Sequence, residues 1–319
     1  MDQFKSSSFT IPTLLVLALS CGGATGLVVH EKLKPTLFSI SGDASAYLPD
    51  GKSALASYEK AKKMGGDFAA HMKPHELVYV AYSRYSEEPL SYFVGVGASK
   101  AMGLVNQVIQ SKGIRNGEEY FEESNSFSSY VSLYNRMYQK GEQTTKYWGK
   151  SSNYGANSPQ VVSNEEYEES MGRKVSDPLI YLISDKTDSP SDYSGRGLTS
   201  VTKDSEGNIN VEFEADPKTA TLRYIHQMKT ISDLKDYPNF EYVHLKWSLT
   251  KDLDLRYFTT YEKYHATLSS GFGSDCEGSL TTVYRTGDAE LSAIPSPSSP
   301  SPAYPKSESE LLESYGYHQ

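Results

Sequence analysis

The run Tyr92-Phe93-Val94-Gly95-Val96-Gly97-Ala98-Ser99-Lys100 holds two glycines and a lysine at a spacing that nucleotide loops use. In such loops the glycines let a pyrophosphate approach the backbone at the N-terminus of a following helix. Lys100 stands where the third glycine of that fingerprint belongs, and no train of alternating strands and helices follows. Two glycines within a β-strand is the favoured reading, with a nucleotide-dependent enzyme built on Gly95 to Lys100 as an alternative. His71 and His75 have the i, i+4 spacing of a helical metal pair, but Pro74 between them breaks that helix, so both are expected in a solvated loop. The sequence contains no nucleophile elbow, phosphate loop or paired-cysteine motif. No catalytic residue, metal ligand or cofactor is assigned, and the chain reads as non-enzymatic.

The tyrosines suggest binding instead. If Leu77 to Tyr85 is a two-faced strand, Tyr79 and Tyr85 share one side and Tyr82 takes the other, with Tyr92 on the partner strand. Amphipathic rings around a cleft, with the Glu119 carboxylate nearby, suit an apolar or cationic ligand. Tyr82, Tyr92 and Glu119 are therefore the candidate ligand-binding residues, and cross-strand packing is the plain alternative.

Several elements must position these groups. Ser53 to Ala70 has the 3.6 periodicity of a helix, and Leu77 to Tyr85 with Leu90 to Ala98 reads as a β-hairpin turning at Ser86-Glu87-Glu88-Pro89. Helices are expected over Ala101 to Gln110, Ser128 to Gln143 and Glu165 to Gly172. Strands are expected over Thr36 to Ile40, Glu118 to Ser124, Leu179 to Ile183, Ile209 to Glu214, Thr221 to Ile225 and Phe240 to Trp247. From about Asp288 the chain turns Pro- and Ser-rich, which predicts a disordered acidic tail.

Phe9 to Val29 is an uncharged apolar run, and at ~1.5 Å of helical rise per residue it spans roughly one bilayer core. A transmembrane anchor after a short segment 1–8 is the favoured reading, and a secretory signal cleaved after Ser20 is the alternative. Lys32 and Lys34 after the span, against Lys5 before it, favour a cytosolic body. Gly22 and Gly26 form a GxxxG pair in the span. Cys21 and Cys276 supply no disulfide framework for the body, and no asparagine opens a glycosylation sequon. A hydrophobic fraction of 38% with 25 Tyr supports a packed core, while a net charge of -9 argues against nucleic acid as a partner.

The run Val78-Tyr79-Val80-Ala81-Tyr82-Ser83-Arg84-Tyr85-Ser86-Glu87-Glu88-Pro89, followed by Tyr92-Phe93-Val94-Gly95-Val96, resembles the GyrI-like effector-binding fold. Asp177-Pro178-Leu179-Ile180-Tyr181-Leu182 looks like its closing strand. The resemblance implies an α+β chain: a GyrI-like antiparallel sheet with helices on one face over 36–186, preceded by one transmembrane helix at 9–29. A linker at 187–206, an extension of the body at 207–285 and a disordered tail at 286–319 complete the expected organisation.

Anchor, body and tail together resemble the testis-expressed ER-phagy receptor family. That likeness implies an adaptor in the endoplasmic reticulum membrane, facing the cytosol, which takes part in organelle turnover and binds a ubiquitin-like autophagy modifier through an aromatic-x-x-aliphatic motif. Tyr304, Tyr315 and Tyr317 in the tail have no aliphatic residue three positions on. Phe240-Glu241-Tyr242-Val243 fits the spacing, which makes Phe240 and Val243 the candidate partner-binding residues unless this is a strand of the body. Membrane lipid, through the N-terminal helix, is the other expected partner; a secreted or periplasmic binding protein is the alternative.

Overall fold

The computed structural model describes residues 51–101, 105–128, 132–150, 159–171, 200–214, 235, 239–267, 271, 273–300 and 303–317. The Phe9 to Val29 run and the expected strands at Thr36, Leu179 and Thr221 lie outside them. Among the described residues no helix is long and apolar enough to cross a membrane.

Three helices come first among the described residues. α1 (Gly51–Lys63) places Lys60, Lys62 and Lys63 in its last turn, where they complement the negative end of the helix dipole. It stops at Gly65 and Gly66, whose φ angles of 103° and 79° favour glycine. α2 (Phe68–His71) is capped by the Asp67 carboxylate, which accepts from the Ala70 amide. α3 (Pro74–Glu87) starts with proline in its first turn, and the Glu76 carboxylate reaches back to accept from the Lys73 amide at 2.9 Å.

α3 replaces the first strand of the expected hairpin. A dense apolar run such as LVYVAYSRY fits either period, and here the start signals Pro74 and Glu76 decide for the helix. Leu77, Val78, Ala81 and Tyr82 then fall on one buried side. Glu88, which precedes Pro89, closes the helix because the residue before proline avoids helical backbone.

Among the described residues the body is one antiparallel sheet of eleven strands, which corrects the GyrI-like α+β expectation. In chain order the strands are β1 (Leu90–Ala101), β2 (Val105–Asn116), β3 (Glu119–Ser128), β4 (Ser132–Lys140), β5 (Gln143–Lys150) and β6 (Gln160–Ser163). After α4 (Asn164–Met171) come β7 (Ser200–Lys203), β8 (Ile209–Glu214), β9 (Asn239–Leu249), β10 (Leu255–Thr267) and β11 (Gly273–Thr286). The spatial order is β6-β5-β4-β3-β2-β1-β11-β10-β9-β8-β7, so every paired neighbour is sequential except β1 with β11 at the centre, and the sequential strands β6 and β7 form the two edges. Strands from both sides of the expected linker at 187–206 share this sheet.

Two expected helices are strands. Ala101 to Gln110 runs from the end of β1 into β2, and Ser128 to Gln143 contains β4. In β4, Tyr134 and Arg136 are buried on one face and Asn135 and Met137 on the other. A strand buried on both faces loses the polar alternation that would mark it.

Helices α1–α4 lie on one face of the sheet, termed here the helix face; α3 packs on β9 and β10, and Tyr167 of α4 packs on Met137. The opposite, tail face carries the C-terminal segment, which corrects the disorder that its Pro- and Ser-rich composition predicts. Leu311 and Leu312 of α5 (Glu308–Ser314), with Tyr317, form one core with Tyr92, Val94, Val96, Ile114, Phe121, Tyr257 and Val283. Average composition hides this because the apolar area is concentrated in one leucine pair and a few tyrosine rings.

Candidate ligand-binding face

The register of the central strands stacks the helix-face side chains into rows across the sheet. One row reads Trp247, Phe258, Thr282, Gly95, Ser111, Ser124 and Asn135, each the cross-strand partner of the next. Trp247 and Phe258 stack at 4.4 Å between ring centroids. The row therefore runs from an aromatic end to a hydroxyl and amide end, and all of it is buried.

Gly95 is the low point of this row. A Cβ there would overlap the Ser111 hydroxyl and stand 3.0 Å from the Thr282 hydroxyl, so the two side chains close in over its backbone. Ser111 and Thr282 are 0% and 1% exposed, and among the described residues neither hydroxyl has a hydrogen-bond partner; nor does that of Ser99, on the same face further along β1. A buried hydroxyl left unpaired costs about 1–3 kcal/mol, so three in one region mark a place where the fold gives up stability. Glu262, fully buried, shares a register row with Gly278 and Ser99.

The neighbouring row on this face carries a cluster of tyrosines. The Tyr284 ring meets Tyr82 at 5.7 Å and Tyr85 at 5.0 Å, both edge-on, and Phe93 at 6.1 Å. The Tyr82 and Tyr284 hydroxyls lie 3.1 Å apart. Arg84 holds the end of α3 to the β9–β10 turn through Asp254, at 2.9 Å, and the Asp252 carbonyl. Burial pushes the phenols of Tyr85 and Tyr284 well above their usual range, so near neutrality both are uncharged hydrogen-bonding groups and neither serves as a base.

The structure does not bring the expected ligand residues together. Tyr82 belongs to the tyrosine cluster on the helix face, whereas Tyr92 faces the tail and meets Tyr315 at 6.3 Å. Glu119 opens β3 and is ion-paired with Lys140, beside an open depression of about 420 Å³ lined also by Asn116, Glu118 and Gly141. Gly95 to Lys100 lie inside β1, bonded to β2 and β11, and no helix follows them directly. Phe240 and Val243 are in β9, paired with Tyr264 and Glu262 of β10. His75 is buried in the first turn of α3, not solvated in a loop.

Sequence reasoning missed Ser111 and Thr282. The available signal was Phe93-x-Gly95 facing Ser111-x-Gly113 across a hairpin, which becomes visible once Ala101 to Gln110 is read as strand.

No family model matches the chain, and no curated protein matches it. The GyrI-like and ER-phagy receptor resemblances thus draw no match in either comparison. A LolA superfamily protein from Nitrosomonas europaea is a weak structural neighbour, 9% identical, covering 70% of this chain and 98% of its own length, with a TM-score of 0.20. A designed transmembrane β-barrel is 6% identical over 62% of this chain and 98% of its own, with a TM-score of 0.17. Neither likeness assigns the chain a family.

Proposed function

We propose that this is a non-enzymatic binding protein that holds an elongated molecule, with an apolar body and an uncharged hydrogen-bonding end, between its helices and its sheet. The apolar part lies toward Trp247 and Phe258, and the polar end is received by Ser111 and Thr282 over Gly95. The observation that carries this reading is the pair of buried, unpartnered hydroxyls converging on a glycine, in a row that is aromatic at one end and polar at the other. The Phe9 to Val29 run is proposed to tether the protein to a membrane.

Binding of a fluorescent monoacylglycerol analogue tests the reading. The Ser111→Ala/Thr282→Val pair removes both hydroxyls with little change in shape and is expected to weaken binding about tenfold, the worth of one or two hydrogen bonds. An unbound analogue, or equal binding by the variant, would reject the site.

A further inference from the structure

The tail face is held by a segment that behaves like a bound ligand. After β11, Asp288 forms a turn by accepting from the amides of Glu290 and Leu291. Arg136 of β4 then donates to the carbonyls of Pro297 and Ser299 at 2.9 and 2.5 Å, and the Tyr304 hydroxyl donates to Glu123 at 2.8 Å. Leu311 and Leu312, 0% and 2% exposed, enter the central core of this face. Beyond them Arg285 donates to the Tyr315 carbonyl at 2.9 Å, and the guanidiniums of Arg256 and Arg285 lie 4.6 and 5.4 Å from the centre of the Tyr317 ring.

These contacts come from the sheet and fall on backbone carbonyls, two leucines and tyrosine rings of the tail. Among the described residues the tail adds no strand to the sheet, and its one helix has seven residues. A helix that short is marginal without its docking surface. Between Thr286 and the start of the docked segment at Ile294 lie seven residues, 287–293. Extended, a chain of that length reaches roughly 25 Å, enough to cross between two molecules whose tail faces lie side by side. Another copy of the chain offers the same carbonyls, leucines and rings on the same tether.

We infer that the C-terminal segment 294–317 is a detachable strap and that the tail face is an interaction surface for the strap of a second copy of this chain. In dilute solution the strap docks on its own sheet, because the tether keeps its local concentration high. When one molecule's face or strap is disabled, the partner's replaces it, and the two molecules are joined by exchange.

Two full-length variants test this by complementation. Glu123→Gln/Arg136→Met impairs the face and keeps the strap; Leu311→Asp/Leu312→Asp impairs the strap and keeps the face. Each alone is expected to be a monomer by native mass spectrometry from detergent, and the mixture is expected to give a 1:1 complex of doubled mass. A mixture that stays monomeric overturns the exchange. To guard against misfolded variants, a wild-type chain with a protease site inserted between Ala289 and Glu290 is cut after folding. Its labelled strap is expected to remain bound and to be displaced by excess synthetic peptide 294–319. A cut strap that the peptide does not displace overturns the detachable strap as well.

Discussion

Arg136 and Glu123 face each other on neighbouring strands with both side chains sealed from water, the guanidinium Nε 2.5 Å from the carboxylate. Asn125 and Tyr304 supply the other hydrogen bonds to the carboxylate, at 3.0 and 2.8 Å. A buried pair of this kind adds little net stability, yet removing one partner strands the other charge. Arg136→Met alone is expected to lower unfolding stability by about 3–5 kcal/mol, and Glu123→Gln/Arg136→Met to recover only the part owed to the stranded carboxylate, because the bonds to the Pro297 and Ser299 carbonyls stay lost. Urea unfolding followed by tryptophan fluorescence measures both; equal losses in the single and double variants would refute the argument.

Gly97 and Gly95 occupy the same strand, but their neighbours give them different tolerance. A Cβ on Gly97 would overlap the Ser279 carbonyl oxygen, which belongs to the paired backbone of β11 and cannot step aside. On Gly95 the overlap is with the Ser111 hydroxyl, which can rotate about its side-chain torsion. Gly97→Ala is therefore expected to destabilise more than Gly95→Ala, by about 1–3 kcal/mol or more for such overpacking. Ser111→Ala should partly rescue Gly95→Ala and leave Gly97→Ala unchanged, as read in a thermal-melt double-mutant cycle.

The hydroxyls of Tyr82 and Tyr284 satisfy each other in the interior, 3.1 Å apart, and pin α3 to β11. Deleting one hydroxyl leaves the other buried, which costs about 1–3 kcal/mol; deleting both removes donor and acceptor together. Tyr82→Phe and Tyr284→Phe should each destabilise, and the double variant should be no worse than either single one. Additive losses would show that the two hydroxyls do not act as a pair.

How far the sequence could be read depended on what each element buries. β8, with its Ile209 to Glu214 run, and α4, with its acidic first turn, keep one face in water, so their periods survive in the sequence. β4 buries Arg136 on one face and Met137 on the other, which imitates helical spacing. α3 is nearly apolar around Val78 to Tyr82 and imitates a strand. The row across the helix face was invisible for a different reason. Gly95, Ser111 and Thr282 come from three strands, and only the pairing of β1 with β11, across nearly two hundred residues, brings Thr282 to Gly95.

The buried phenols make stability fall in alkali. Tyr85 and Tyr284 on the helix face, and Tyr92 and Tyr138 on the tail side, all have their ionisation pushed up, in each case chiefly by burial. The unfolded chain releases these protons near the ordinary tyrosine value of about 10, while the folded chain keeps them. Below that value the phenols are protonated in both states and stability does not depend on them. Above it the unfolded state binds fewer protons than the folded one, so unfolding becomes easier as pH rises toward the raised folded values. Each fully buried phenol contributes a slope of about 1.4 kcal/mol per pH unit. Melting temperature is expected to be level through pH 9 and to drop steeply above pH 10, with tyrosinate absorbance at 295 nm from these residues rising together with the loss of near-UV circular dichroism. If every tyrosine ionises near pH 10 while the fold persists, these rings are not sealed against the sheet as described.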